Sequence, residues 1–162
     1  MLGMEGIPGI YVHSLLGTSN DYEKVANTGQ NRSINRHRWD FTELAAQLDS
    51  PHSQHHKVLT RLSQLIRIRK AQPAFHPNAT QFTLQLGNQL FGYWRQSLDR
   101  QQSIFCISNI SCQEQSILLS DINLIGTDTW MDLITRDEIH NTNEFLTLKP
   151  YQTVWISNQD PI

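Results

Sequence analysis

Residues 81–96 read QFTLQLGNQLFGYWRQ, and this stretch determines the fold predicted for the second half of the chain. Apolar and polar side chains alternate on both sides of Gly87-Asn88, which is typical of two strands joined by a two-residue turn. Further strand-like runs follow at 103–110, 115–119, 130–134, 144–148 and 153–157. Because no helical pattern separates them, the sequence predicts an all-β antiparallel domain, a sheet or small sandwich, over residues 79–162.

The first half of the chain has a different pattern. Residues 6–13, GIPGIYVH, form a short apolar run entered through Gly and Pro, which predicts a buried strand. Residues 14–40 are rich in Gly, Ser, Thr, Asn and Asp and predict a long loop. Apolar residues then recur at helical spacing over 55–70, and Pro73 should end that helix. A strand, a loop and a helix make one β/α unit, which predicts a first domain over residues 1–73 and an α+β chain.

Composition excludes several classes of protein. The 162 residues are 38% hydrophobic, a low share that fits a piece whose missing partner supplied part of the burial. With 13 basic and 15 acidic residues, the chain lacks the basic field that nucleic-acid binding requires. Its apolar runs are too short to span a membrane, and its start does not resemble a secretory signal. Cys106 and Cys112 are the only cysteines and predict reduced thiols in a cytoplasmic protein.

Two groups of side chains invite functional interpretations that we do not favour. His52 and His56 would share a helix face beside His55, but no third ligand is visible nearby, so neither a metal site nor a cofactor is expected. Several aromatic residues of the second half could form a sugar-stacking surface, yet each lies in a strand-like run and is expected in the core. These residues are Tyr93, Trp94, Trp130, Tyr151 and Trp155.

Several stretches together carry a resemblance to a known family. GIPGIY at 6–11, taken together with WMDLI at 130–134 and LTLKPY at 146–151, resembles the last β/α unit of a (β/α)8 barrel of the α-amylase type followed by that family's C-terminal β-domain. In that superfamily the barrel is followed by an all-β antiparallel C-terminal domain. The stretches NDYEKVANTGQNRSINR at 20–36 and QPAFHPN at 72–78 narrow the resemblance to the sucrose phosphorylase group. That group includes enzymes for sucrose 6-phosphate, glucosylglycerate and similar α-glucosides, and the resemblance covers essentially the whole chain.

The resemblance implies a retaining glucosyl transfer carried out by a larger enzyme. A carboxylate nucleophile takes the glucosyl unit, a Glu protonates the leaving group, and inorganic phosphate attacks in place of water. In the family, these carboxylates come from earlier barrel strands. We therefore expect no catalytic residue in this chain, and no activity from the chain alone.

The same resemblance implies that residues 14–40 form the acceptor side of the pocket. By motif position, Arg32 is the residue expected to bind phosphate, because a guanidinium can meet two phosphate oxygens at once. Asn20 and Asp21 are candidates for the rim of the sugar site, although turn formation explains them equally well. Asn35 and Arg36 are expected to hold the loop through hydrogen bonds to backbone carbonyls.

Other interpretations stay open at this point. The chain could be the tail of an α-glucosidase or amylase-type hydrolase, or a freestanding carbohydrate-binding or interaction module. Asn31 and Ser33 stand where sucrose phosphorylases have Gly and Asp, which leaves the donor glucoside open. Residues 1–40 include Ile7, Ile10 and Tyr11, which a complete barrel would cover, so self-association through this segment is plausible.

Overall fold

The computed structural model of the chain describes residues 1–122, 124 and 129–158. It divides into two compact units. The β unit comprises Met1–Pro8 together with Arg67–Ile162, and the helical unit comprises Gly9–Ile66. The domain boundary expected between residues 73 and 79 stays a prediction, since compact units of one chain need not coincide with the domains of a larger protein.

The helical unit is built from short helices with side-chain caps. Its elements are α1 (Val12–Leu15), α2 (Tyr22–Thr28), a 3-10 helix (Asn31–Asn35), α3 (Phe41–Asp49) and the first part of α4 (Gln54–Ala71). The Asp40 carboxylate accepts hydrogen bonds from the first free N–H groups of α3, and Ser53 Oγ accepts one from His56 N–H at 3.0 Å. The helix predicted over 55–70 is therefore confirmed, and it ends two residues before Pro73. Among the residues that the structure describes, no helix is long and apolar enough to cross a bilayer.

Two predictions for the first forty residues are wrong. Residues 6–13 form no strand, and α1 begins at Val12 within that range. An apolar run becomes a strand only when a neighbouring strand takes its backbone hydrogen bonds, and no described strand pairs with it. Residues 14–40 are not a continuous loop, because Asp21 caps α2 and Gly29 ends it in the left-handed region at φ 63°.

The β unit contains eight strands among the described residues. They are β1 (Thr80–Leu84), β2 (Leu90–Gln96), β3 (Ser103–Asn109), β4 (Gln115–Leu118), β5 (Trp130–Asp132), β6 (Glu138–Ile139), β7 (Phe145–Leu148) and β8 (Thr153–Ser157). One sheet has the order β1-β2-β3-β8-β5-β6, and β4 pairs with β7 in a second sheet. Every pairing is antiparallel, as predicted, and the two-residue strand β6 is the one that the sequence pattern missed.

The turn between β1 and β2 is longer than predicted. Leu84 pairs with Gly92, so residues 85–91 lie between the last paired positions where a two-residue turn was expected. The side chain of Leu86 lies over Gly92, where a Cβ would clash with it. The next residue, Gly87, takes φ 82°, in the left-handed region that favours glycine.

The core of the β unit lies among aliphatic and aromatic side chains of six strands. A row of rings crosses adjacent strands: Phe82 stacks on Trp94 at 5.0 Å between centroids, and Trp94 stacks on Phe105 at 5.9 Å. The prediction of core aromatics is confirmed for Tyr93, Trp130 and Trp155, which are buried, and Trp94 is partly buried. It is wrong for Tyr151, which is 71% exposed because it occupies a left-handed turn position between β7 and β8.

Two buried arginines fix the first residues of the chain within the β unit. Arg95 is fully buried and donates to the carbonyls of Gly3, His76, Ala79 and Thr80. Arg69 donates to the carbonyls of Leu2, Met4 and Gly6. Burial lowers the pKa of both guanidinium groups. The carbonyls of Leu2, Gly3, Met4 and Gly6 are thus satisfied by the two arginine side chains.

Candidate functional site

An open cleft of about 540 Å³ lies in the helical unit. Its walls come from the segment that leads into α2, from the segment that follows the 3-10 helix, and from the start of α4. The lining residues are Thr18, Ser19, Asn20, Asp21, Tyr22, Glu23, His37, Trp39 and His55. This volume is within the range of small-molecule sites.

Trp39 lines this cleft and contacts three other lining residues. Its indole Nε1–H donates to Thr18 Oγ1 at 3.0 Å, which fixes the plane of the ring. The rings of His37 and His55 meet it edge-on, at 4.6 and 4.9 Å between centroids. The cleft therefore has a half-buried aromatic wall that is held in place by three neighbours.

His55 has a defined tautomer. Its Nδ1 lies 2.7 Å from the carbonyl oxygen of Leu16. A carbonyl can only accept, so Nδ1 carries the proton and the neutral ring has its lone pair on Nε2.

The lining contains two carboxylates, and one of them lies close to a histidine. Asp21 Oδ1 accepts from the N–H of Lys24 at 2.8 Å, while its Oδ2 lies 3.8 Å from His37 Nδ1. Glu23 adds a second, exposed carboxylate. None of the nine lining residues is Lys or Arg.

The structure brings some of the predicted site residues together and not others. Asn20 and Asp21 both line the cleft, and Asp21 also caps α2, so its turn-forming role is real. Arg32 lies on the exposed 3-10 helix, outside the cleft lining. The main-chain carbonyl of Asn35 accepts from Tyr11 Oη, and that of Arg36 accepts from Lys24 Nζ.

The rings of His55 and His56, at the start of α4, both contact backbone carbonyls. His56 Nδ1 contacts the Leu48 carbonyl at 2.6 Å, just as His55 contacts Leu16. Over residues 1–122, 124 and 129–158, no group of three or more His, Cys, Asp or Glu side chains is placed to hold a metal ion.

Sequence reasoning missed the contact between the rings of His37, Trp39 and His55 in the cleft. His37 and Trp39 are far from His55 in sequence, and no local period connects them. The available signal was the polar, aromatic character of the segment 37–39 directly after the Arg-Ser-Ile-Asn-Arg motif. Their convergence depends on the tertiary contacts of Thr18 and Leu16.

Known proteins with similar sequences are glycoside phosphorylases. No protein-family model matches the chain. Glucosylglycerate phosphorylase of Allomeiothermus silvanus is 35% identical over 156 residues, which are 96% of this chain and 25% of that protein. Sucrose phosphorylase of Agrobacterium vitis is 44% identical over 71 residues, which are 44% of this chain and 13% of that protein.

Solved structures with a similar fold are α-amylase-type enzymes. An α-amylase from Anoxybacillus matches with a TM-score of 0.58 and 13% identity, over 76% of this chain and 25% of that one. This likeness concerns the fold alone. The chain spans about a quarter of the length of the glucosylglycerate phosphorylases that it matches. By sequence, the chain is similar to a portion of the glycoside phosphorylases, and by fold it is similar to a portion of α-amylase-type enzymes.

Proposed function

We propose that the chain is the C-terminal portion of a retaining glycoside phosphorylase. The parent protein transfers a glucosyl unit from an α-glucoside to inorganic phosphate. The observation that carries this proposal is the match to a glucosylglycerate phosphorylase over 96% of the chain. Glucosylglycerate is therefore the first donor to test, before sucrose, whose phosphorylase matches over 44%.

In this proposal the parent supplies the reacting carboxylates. One carboxylate attacks the anomeric carbon of the donor, the glycosidic bond breaks, and a carboxylic acid gives its proton to the leaving oxygen. A phosphate oxygen then attacks the same carbon and releases the nucleophile. Residues 6–13 would form the last barrel strand once the parent's neighbouring strands are present to take its hydrogen bonds.

The role proposed for this chain is to complete the acceptor side of the pocket. The guanidinium of Arg32 has no hydrogen bond or ion pair with any residue that the structure describes, so it is available for phosphate. Asn20 and Asp21 would rim the sugar site. Asn35 and Arg36 would hold the loop, since their carbonyls accept from Tyr11 and Lys24.

The test is a comparison of two reactions in the parent protein. Glucose 1-phosphate formation and glucose release to water are measured separately from glucosylglycerate, sucrose and glucosylglycerol. Arg32→Ala should lower phosphorolysis about ten- to hundredfold, because a charge-assisted hydrogen bond to an anion contributes about 1.5–3 kcal/mol. Arg32→Lys should recover only part of this rate, since Lys keeps the charge but not the paired donors.

Lys24→Ala should lower both reactions alike, because it removes the hydrogen bond from Lys24 Nζ to the Arg36 carbonyl that holds the loop. Equal losses in both reactions for Arg32→Ala would show that Arg32 shapes the loop and does not bind phosphate. If phosphate does not accelerate turnover of any donor, the parent is a hydrolase. Turnover by the chain alone would contradict its proposed lack of catalytic carboxylates. A cytoplasmic location is part of the same proposal.

A further inference from the structure

The segment Met1–Pro8, which we call the strap, is held to the rest of the β unit by a few hydrogen bonds. Arg69 donates to three of its carbonyls and Arg95 donates to one. Two N–H groups of the strap donate to Gln81 Oε1, at 2.9 Å, and to the carbonyl of Pro77, at 3.2 Å. No described strand pairs with the strap, so it is not fixed as part of a sheet.

Little of the strap belongs to the core. Leu2 and Gly3 are buried, whereas most of the other strap residues are exposed. The main apolar cluster of the β unit lies within residues 84–156 and contains no residue of the strap. Removal of the strap would therefore leave this cluster in place. Segments with few buried apolar contacts are the ones that open locally, before the whole domain unfolds.

The two arginines lower the cost of opening. Among the residues that the structure describes, neither Arg69 nor Arg95 forms an ion pair with a carboxylate. A buried charge without a counter-ion is costly, and water that enters when the strap opens hydrates the guanidinium again. The three carbonyls that accept from Arg69 all lie in the strap, whereas Arg95 also donates to three carbonyls outside it. Arg69 is therefore the residue whose hydrogen bonds depend on the strap.

The thiol of Cys106 lies under the strap. A Cβ at Gly3 would be 2.5 Å from Tyr93 Oη and 3.0 Å from Cys106 Sγ, so the backbone of the strap covers both groups. Cys106 is 1% exposed, and burial raises the pKa of its thiol to about 12, which keeps it unreactive while the strap is closed. The thiol becomes accessible when Gly3 moves away.

We propose that Met1–Pro8 is a detachable strap, which opens and closes while both sheets of the β unit stay folded and which controls access to Cys106. The strap continues directly into residues 9–66, which carry the proposed acceptor residues. In the parent protein, opening would release the start of that segment from the β unit. This consequence rests on the proposed function, whereas the opening itself depends on contacts within the chain.

The experiment measures the reactivity of Cys106 in the variant Cys112→Ser, in which it is the only thiol. The Cys106 thiolate attacks one sulfur of an aromatic disulfide reagent, and the other sulfur leaves as a coloured thiolate. The rate is followed at increasing urea concentrations below the unfolding transition. A local opening exposes little surface, so the rate should be nearly independent of urea, whereas reaction through global unfolding would rise steeply. We also expect a rate at least about tenfold above the one calculated from the global unfolding equilibrium.

Two pairs of variants test which contacts hold the strap. Arg69→Lys keeps the charge but has one donor nitrogen for three carbonyls, so the reaction should be about three- to tenfold faster. Arg67→Lys is its control, since Arg67 is exposed on the same helix. Gly3→Ala should accelerate the reaction about tenfold or more, because its Cβ has no room under the closed strap. Gly9→Ala is the matched control, because a Cβ on Gly9 would meet no atom within 4 Å beyond its chain neighbours.

Hydrogen exchange gives an independent measurement of the same opening. The N–H of Gly6 donates to the carbonyl of Pro77 and should exchange with the opening constant found for the thiol. The amides of β3 should exchange far more slowly, since they open only when the sheet unfolds. Far-UV circular dichroism checks that each variant keeps its secondary structure.

Three results would overturn the proposal. They are a thiol reaction that rises with urea as steeply as global unfolding, equal rates within either pair of variants, and a Gly6 N–H that is as protected as the amides of β3. These measurements use the chain alone. The phosphorylase assay of the parent is independent of them, so the two proposals can fail separately.

Discussion

At the scale of single residues, Asp132 shows how burial and hydrogen bonding compete. Its carboxylate is 6% exposed at the end of β5. It accepts from the N–H of Trp155 at 2.8 Å, from that of Ile134 at 3.2 Å, and from Thr135 Oγ1 at 3.0 Å. Burial raises the pKa of the Asp132 carboxyl, and its hydrogen bonds offset only part of that effect.

Asp132 variants should separate the charge from the hydrogen bonds. Asp132→Ala should lower the free energy of unfolding by about 1–3 kcal/mol, because two backbone N–H groups lose their acceptor. Asp132→Asn keeps an acceptor oxygen without a charge, so at pH 7 it should match or exceed the unmodified chain. Urea unfolding of both variants measures this. A larger loss in Asp132→Asn than in Asp132→Ala would contradict the argument.

The pH dependence follows from the direction of the pKa shift. A carboxyl whose pKa is raised by folding stabilises the folded chain at pH values below its ordinary pKa of 3.8. That stabilisation is lost as the pH rises through the pKa of the carboxyl in the folded chain. The stability of the unmodified chain relative to Asp132→Asn should therefore fall as pH increases through the acidic range. A relative stability that rises over that range would mean that the hydrogen bonds outweigh burial.

At the scale of elements, Asn109 connects strands of the two sheets. It is the last residue of β3, and its Nδ2 donates to the carbonyls of Gln113, Leu148 and Lys149. Leu148 ends β7, so one amide group ties the six-stranded sheet to the two-stranded one. Because Asn109 is 2% exposed, water cannot replace these bonds.

Asn109→Asp should be severely destabilising. The substitution removes the donor and turns a carboxylate toward carbonyl oxygens, and we expect a loss of about 2–4 kcal/mol at pH 7 that diminishes in acid. Ser116→Ala is the matched control, since Ser116 makes an exposed contact with Thr147 in the same two-stranded sheet. The control should change stability by less than about 0.5 kcal/mol. Equal effects of the two substitutions in urea unfolding would refute the role of Asn109.

At the scale of the whole molecule, the first residues leave large apolar side chains in water. Ile7 is 85% exposed, Tyr11 is 48% exposed and Val12 is 52% exposed. Covering one such side chain contributes about 1.5–3 kcal/mol, which is a reason for this segment to associate with another chain. In the proposed parent protein, neighbouring barrel elements would cover it.

We expect the purified chain to self-associate through this segment. Ile7→Asp should weaken association about tenfold or more, as measured by sedimentation equilibrium, because the buried side chain would become a charge. Phe145→Asp is the comparison, since Phe145 is 69% exposed but lies on β7. A monomeric chain at 100 µM, or an equal effect of both substitutions, would rule out association through residues 1–40.

The sequence alone determined the local elements and the group of relatives. Alternation and helical spacing are properties of neighbouring residues, so β1, β2, β3 and α4 were predictable to within a few positions. Asn20 and Asp21, which the resemblance suggested for the rim of a sugar site, both line the cleft, but their role in binding sugar stays a prediction. The predicted strand over 6–13 failed because pairing depends on a partner that local sequence does not contain.

Only the tertiary structure decided which distant groups meet. The cleft needs Thr18, Trp39 and His55 to converge, and hydrogen bonds between distant residues bring them together. The place of Met1–Pro8 depends on Arg69 and Arg95, whose sequence context gives no sign that they are buried. Hydrogen bonds from a buried guanidinium to backbone carbonyls leave no sequence pattern, because every residue has a carbonyl to offer.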